Sequence, residues 1–214
     1  MIWGIYPIVD SGIKSGSSEE EFIRQILAAR PPQIQLRIKD QTDREFLRRA
    51  RRVRKITEKS GANLIINDRI DIALAVRAEG VHLGQDDLPL KVARELCPRD
   101  MIIGISVQSV AEAESAERGG ASYVACGPVF PTTSKTGAGV IPGELAELKR
   151  VVGSVSVPVI AIGGISADNL REVIATGVAG ASMISAIVLA REVTETVQNF
   201  QMLFAENRKV MKRG

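Results

Sequence analysis

Two carboxylates stand just after apolar segments in the middle of the chain. Asp68 follows the apolar run at 64–66, and Asp87 follows a second run at 81–83. Each run is typical of a buried strand, and the carboxyl ends of neighbouring parallel strands meet at the same edge of a sheet. Two hard oxygen ligands that leave room for water and phosphate are a usual way to hold Mg²⁺. The spacing therefore predicts a magnesium site at Asp68 and Asp87.

Further polar side chains also follow apolar segments. They are Gln35, Arg37, Lys39, Asn67, Gln85, Ser106, Thr132, Ser134 and Lys135. This combination suggests a diphosphate ligand. Mg²⁺ would bridge its oxygens, and Arg37, Lys39 and Lys135 would neutralise its remaining negative charge. Arg37 and Lys39 alternate with apolar residues, so both should project to the same side of their strand. Buried there, they would need an anion, and the sequence leaves open whether this is a ligand or an acid such as Asp40.

A second anion site is predicted near the end of the chain. Glycines at 163–164 and the segment 183–186 each follow an apolar strand-like run. Main-chain N–H groups at such turns can bind phosphate, and the loops after the last two strands of a barrel often do so. The alternative is that the glycines only make a tight turn.

The segment 127–142 is long and rich in Gly, Thr and Ser. Loops of this length are uncommon unless they are functional or mobile, so we interpret it as a flap that carries Lys135 over bound substrate. Whether it is ordered without ligand is left open. His82, the only histidine, lies in an apolar string, which favours a packed or supporting residue over a general base.

Strand-like and amphipathic helical segments alternate along the whole chain. The predicted strands are 2–9, 33–38, 64–66, 81–83, 101–105, 123–126, 157–162 and 180–184. Capping boxes open several helices, Pro89 is predicted in the first turn of one at 88–96, and a long helix ends the chain. Eight such units predict a single α/β domain over 1–214, a (β/α)₈ TIM barrel with its site at the carboxyl ends of the strands. A doubly wound sheet is the alternative.

Composition narrows the class of protein further. The 214 residues carry a net charge of +3, and the basic run at 44–55 keeps helical apolar spacing without interleaved aromatic residues. That pattern favours a solvated helix face over nucleic-acid binding. We find no membrane-length apolar run and no signal peptide, so a cytoplasmic location is expected. Cys97 and Cys126 are expected to be buried, reduced thiols.

Seven motifs in order resemble the thiamine-phosphate synthase family over nearly the whole chain. They are Gln35-Leu36-Arg37-x-Lys39, Ile66-Asn67-Asp68-Arg69-x-Asp71-Ile72-Ala73, Gly80-Val81-His82-Leu83-Gly84-Gln85-x-Asp87-x-Pro89, Gly104-x-Ser106, Gly127-Pro128-Val129-Phe130-x-Thr132-x-Ser134-Lys135, Ala161-Ile162-Gly163-Gly164-Ile165 and Ile184-Ser185-Ala186-Ile187. The family couples hydroxymethylpyrimidine diphosphate to hydroxyethylthiazole phosphate and releases pyrophosphate. The resemblance implies a TIM-barrel transferase that uses Mg²⁺ and small-molecule substrates, with a homo-oligomer possible.

The resemblance also implies roles for individual residues. Asp68 and Asp87 would bind Mg²⁺. The pyrimidine diphosphate would lie among Gln35, Arg37, Lys39, Asn67, Ser106 and Lys135, of which Arg37, Ser106 and Lys135 would be catalytic. The thiazole phosphate would be held by Thr132, Thr133, Ser134, Gly164, Ile184 and Ser185. The implied mechanism is dissociative, with a pyrimidine methylene cation captured by the thiazole nitrogen.

Two positions depart from the family pattern, and two other functions remain as alternatives. Gln108 stands where the family usually has histidine, and Ser134 replaces a common threonine but keeps the hydroxyl. One alternative is a thiazole tautomerase-like paralogue, which lacks the paired acids and has histidine in place of Pro128. The other is a non-catalytic regulator that binds thiazole or thiamine phosphate.

Overall fold

The alternating strands and helices close into a barrel of eight parallel strands in a computed structural model of the chain. The structure describes residues 4–11, 18–132 and 145–211, without the side chains of 208–211. The strands are β1 Gly4–Asp10, β2 Gln33–Arg37, β3 Asn63–Asn67, β4 Gly80–Leu83, β5 Ile102–Val107, β6 Tyr123–Cys126, β7 Val159–Ile162 and β8 Gly180–Met183. Each strand pairs with the next and β8 pairs with β1, so the predicted TIM barrel is confirmed.

Helices follow the strands on the outside of the barrel. They are α1 Glu19–Ala28, α2 Asp43–Ser60, α3 Ile70–Val76, α4 Leu90–Leu96, α5 Val110–Arg118, α6 Leu145–Ser154, α7 Leu170–Ala175, α8 Ser185–Val188 and α9 Val193–Met211. Ser18 and Ser109 accept backbone N–H bonds as N-caps, and Thr42 forms the full capping box with Glu45. These caps use otherwise unpaired N–H groups of the first turn, as the sequence predicts.

The buried apolar side chains of the described residues form two clusters. The larger one lies between the strands and the surrounding helices and includes Ile5, Leu64 and Ile103. The smaller one contains Tyr6, Ile65, Tyr123, Ala125 and Ile160. These residues come from alternate positions of their strands, opposite to those that face the helices, so the smaller cluster fills the barrel interior.

The structure corrects several predicted boundaries. β5 continues to Val107, so Ser106 lies within a strand instead of just after it. Pro89 is the N-cap of α4 and not part of its first turn. The chain after β8 forms the four-residue helix α8 before α9 begins. Short apolar helices such as α8 have no distinct sequence period, which explains why it was missed.

The structure also describes the basic helix and the two cysteines that the composition pointed to. In the basic helix α2, Phe46, Ala50 and Val53 are buried while most of its arginines face solvent, so the run is a solvated helix face. Cys97 and Cys126 are both free and buried. Within the described ranges, no helix is long and apolar enough to cross a membrane.

Candidate active site

Asp68 and Asp87 converge at the carboxyl ends of β3 and β4. The turn after β3 places Asp68 in a left-handed conformation, with φ +62°, which aspartate tolerates better than most residues. Asp87 accepts a hydrogen bond from the Gly84 N–H at 2.6 Å, which fixes its carboxylate against the turn after β4. Burial raises the pKa of Asp87, and its hydrogen bond with Asp68 raises it further. The two acids therefore lie together, as the sequence predicts.

This pair of acids fits a divalent cation. Two carboxylates in contact repel each other unless a proton or a cation lies between them. Among the described residues, no group of three or more His, Cys, Asp or Glu side chains could hold a metal. A cation here would take its remaining ligands from water or a bound phosphate, as Mg²⁺ usually does.

The two cations at the end of β2, Arg37 in the strand and Lys39 just after it, pair with acids at the same rim. Arg37 forms an ion pair with Asp10, which lies beside it in the β1–β2 register and is buried. Lys39 Nζ lies 2.5 Å from Asp68 Oδ2. Acids of the protein therefore neutralise both cations, which is one of the two alternatives that the sequence allowed. The acids are Asp10 and Asp68, and not Asp40.

A hydrogen-bonded series of polar side chains crosses the barrel below this rim. Gln35 Nε2 donates to the Tyr6 hydroxyl, which contacts the Tyr123 hydroxyl. The Tyr123 hydroxyl contacts His82 Nδ1, and His82 Nε2 contacts Ser106 Oγ. The predicted supporting role of His82 agrees with this position, because the ring is 5 % exposed and lies behind Ser106.

The polar residues of β3, β4 and β5 lie at one side of the rim. Asn67 ends β3 and is largely buried, and it pairs with His82 in the β3–β4 register. Gln85 Nε2 donates to the Ser106 carbonyl oxygen at 2.6 Å, which links the turn after β4 to β5. Gln108 is exposed just beyond β5, and its backbone N–H bonds to Glu112.

The glycines after β7 are explained by close packing against the segment that follows β6. A side chain on Gly163 would meet Pro128 at 2.5 Å, and one on Gly164 would meet the Pro131 carbonyl oxygen at 2.6 Å. Both glycines also have positive φ. The tight-turn alternative thus accounts for them, and their anion-binding role stays a prediction.

The remaining predicted thiazole phosphate contacts fall in two groups. Gly164 and Ile184 lie two residues past the paired Ile162 and Ser182, so the ends of β7 and β8 bring them to the same rim. Ser185 opens α8 beside them. Thr132 lies within the predicted flap and is the last described residue before position 133. Thr133, Ser134 and Lys135, with most of the segment 127–142, lie outside the described residues.

Sequence reasoning missed Asp10, Tyr6 and Tyr123. Asp10 had a usable signal, since it ends β1 as Asn67 ends β3. In the sequence the two tyrosines look like ordinary apolar strand residues. The only signal for a polar role is that a buried phenol needs a hydrogen-bond partner.

Comparison with known proteins identifies the family. Residues 5–187 match the family model described as thiamine monophosphate synthase. The chain belongs to this family. A thiamine-phosphate synthase of Methanocella arvoryzae is 43% identical over 208 residues, which cover 97% of this chain and 98% of the relative. The resemblance seen in the motifs is confirmed, and the family is one of transferases.

Solved structures agree with this family membership. A thiamine phosphate pyrophosphorylase from Pyrococcus furiosus superimposes with a TM-score of 0.86 at 39% identity, covering 96% of both chains. A 3-hexulose-6-phosphate synthase superimposes with a TM-score of 0.70 at 16% identity, covering 94% of this chain and 99% of that one. The second likeness shows the barrel fold alone.

Proposed function

We propose that this chain is a Mg²⁺-dependent thiamine-phosphate synthase that joins hydroxymethylpyrimidine diphosphate to hydroxyethylthiazole phosphate. The observation that carries the proposal is the contact of Asp68 with Asp87 beside Lys39 at the barrel rim. Family membership supports it. A cytoplasmic location and small-molecule substrates belong to the same proposal, and the oligomeric state is left to measurement.

The reaction needs a departing anion and a stabilised cation. The bond between the pyrimidine methylene carbon and the diphosphate oxygen breaks, and the oxygen keeps the electron pair. The thiazole nitrogen then donates its lone pair to the methylene carbon, forming the new C–N bond. When bound at Asp68 and Asp87, Mg²⁺ would supply positive charge for the diphosphate oxygens. No protein nucleophile is required.

The protein contributes charge and alignment. Arg37 and Lys39 lie at the rim, at and just after the end of β2. Both would exchange their carboxylate partners for diphosphate oxygens when substrate binds. Asn67 on β3 and Ser106 on β5 flank β4, and both would orient the pyrimidine ring. Fixing the two rings in line removes the entropy cost of bringing them together.

The direct test is pyrophosphate release from both substrates with and without Mg²⁺. We expect release that depends on both substrates and on the metal. Asp87→Ala should lower kcat by orders of magnitude with an unchanged circular dichroism spectrum, and so should Lys135→Ala. Near-normal turnover in either variant would contradict the assigned roles.

The same assay separates the alternatives. Tight binding of thiazole phosphate without turnover would support the regulator. Isomerisation of a thiazole without pyrophosphate release would support the tautomerase-like paralogue. The presence of Asp68, Asp87 and Pro128 favours the synthase over that paralogue.

A further inference from the structure

Five side chains form one hydrogen-bonded series from β2 to β5 through the barrel interior. The order is Gln35, Tyr6, Tyr123, His82 and Ser106, and each of the four contacts measures 2.9 Å. The first four side chains are buried, while Ser106 is partly exposed at the rim. The series thus links two residues, one on β2 and one on β5, that are predicted to contact the pyrimidine.

The protons of this series have a direction. Gln35 donates through its amide N–H, so the Tyr6 oxygen accepts and the Tyr6 proton is available to Tyr123. Burial raises the pKa of both phenols, so each keeps its single proton. The Tyr123 proton then goes to His82 Nδ1, which leaves the imidazole proton on Nε2, facing Ser106 Oγ.

The opposite direction has a different end state. With the amide of Gln35 reversed, its oxygen would accept from Tyr6, and every later bond would reverse as well. His82 would then carry its proton on Nδ1, and Ser106 would donate to Nε2. The two directions therefore differ in whether the Ser106 proton is directed to a ligand or into the protein.

Packing holds the central hydroxyl in place. A side chain on Gly104 would lie 2.0 Å from Tyr123 Cζ, so the ring rests directly on the backbone of β5. Tyr6 meets Tyr123 edge to face at 5.9 Å between ring centroids, and His82 stacks on Tyr123 at 5.6 Å. These contacts fix the position of the Tyr123 ring and of its hydroxyl.

We propose that Tyr6 and Tyr123 are positioning residues that hold His82 as the neutral Nε2–H tautomer and so direct the Ser106 hydroxyl proton toward the substrate. The substrate part of this inference rests on the proposed synthase function. The tautomer part does not, because it concerns the protein alone. Tyr6 and Tyr123 act through His82 and Ser106 and touch no reacting atom themselves.

The tautomer can be read by ¹⁵N NMR of the imidazole, because His82 is the only histidine in the chain. At neutral pH without ligand, we expect the proton on Nε2 and a bare Nδ1. In Tyr123→Phe the ring stays and the hydroxyl goes, so a mixture of tautomers should appear. A proton on Nδ1 in the wild type, an imidazolium, or an unchanged spectrum in Tyr123→Phe would overturn the proposal.

Turnover tests the link to Ser106. Tyr123→Phe should lower kcat on the order of tenfold, which is less than the roughly 100- to 1,000-fold typical of removing a donor to the reacting group outright. In a Ser106→Ala background the same substitution should have little further effect. Full additivity of the two substitutions would show that Tyr123 does not act through Ser106.

Controls separate this inference from folding and from the proposed function. Ser122→Ala removes a hydroxyl that bonds to Arg94 and is not in the series, and it should leave the His82 spectrum unchanged. Tyr6→Phe provides a second variant if Tyr123→Phe does not fold, and it should produce the same tautomer mixture to a smaller extent. If the protein shows no synthase activity, the NMR result still decides the tautomer.

Discussion

Lys39 Nζ lies 2.5 Å from Asp68 Oδ2, so a predicted diphosphate contact and a predicted metal ligand neutralise each other at the barrel rim. The Lys39 side chain is 47% exposed and that of Asp68 is 20% exposed. A partly exposed pair of this kind is worth only about 0.2–1 kcal/mol. It can therefore be exchanged at small cost when metal and diphosphate bind.

The first prediction concerns this exchange. Lys39→Gln removes the cation that competes for Asp68, so Mg²⁺ alone should bind the free protein about two- to fivefold more tightly. The KM for the pyrimidine diphosphate should rise, because a positive charge for its oxygens is lost. Titration calorimetry and steady-state kinetics measure the two effects. Lys59→Gln, at an exposed position of α2, is the matched control. Weaker Mg²⁺ binding in Lys39→Gln would contradict the exchange.

The second prediction separates stability from activity at Asp87. Burial raises the pKa of Asp87 in the folded state, and the hydrogen bond with Asp68 is the second cause of the rise. A raised pKa means that folded protein binds the proton more tightly, so this contribution to stability is present at low pH and lost as pH rises through the raised pKa. Without Mg²⁺ at pH 7, Asp87→Asn should therefore have a Tm equal to or above that of the wild type.

Activity should change in the opposite sense. The amide can still accept from the Gly84 N–H, but it lacks the charge that a divalent cation requires. We expect kcat to fall by orders of magnitude. Asp86→Asn, at the exposed neighbouring position, should change neither Tm nor kcat appreciably. A lower Tm at neutral pH in Asp87→Asn would argue against repulsion between the two acids.

The barrel was predictable from sequence because periodicity and capping both mark its elements. The capping box of Thr42 and Glu45 predicts the start of α2, and each predicted apolar run coincides with one strand. The convergence of Asp68 and Asp87 followed from topology alone, since parallel strands share a rim. Local rules failed at α8, which is short and apolar, and at β5, where pairing with β6 carries the strand past Ser106.

The ion pairs and hydrogen bonds between side chains of the site could not be predicted in the same way. The Arg37–Asp10 pair depends on the β1–β2 register, which brings together residues far apart in the chain. The contact between the Tyr6 and Tyr123 hydroxyls spans the closed barrel, and no sequence period encodes it. Such contacts arise only when the whole sheet closes.

The third prediction concerns the two thiols. Burial, followed by the nearby Glu147 and Glu112 charges, raises the pKa of Cys126 to about 12. Burial also raises the pKa of Cys97. At pH 8 neither thiol should react appreciably with an aromatic disulfide reagent in the folded protein, because thiolate is the reactive form. Both should react after unfolding in guanidinium. Fast labelling of Cys126 in the native protein would contradict its burial, with Cys97→Ser used to assign the signal.

The last prediction concerns the opposite end of the barrel, where Arg94 joins three segments. Its guanidinium donates to the Gly120 and Met101 carbonyl oxygens at 2.8 and 2.7 Å and to Ser122 Oγ at 2.8 Å. These bonds tie α4 to the chain entering β5 and β6. Arg94→Ala should lower the free energy of unfolding by about 2–3 kcal/mol, because partly buried acceptors lose their donors.

The matched control is Arg94→Lys, which keeps the charge but cannot reproduce a planar fork of three bonds. It should recover only part of the stability. For a chain of this length, the loss in Arg94→Ala corresponds to a Tm decrease of about 4–12 °C. The kcat of both variants, measured well below their Tm, should equal that of the wild type, because the predicted site lies at the other end of the strands. A large loss of kcat in a folded Arg94→Ala protein would show that the two ends of the barrel are coupled.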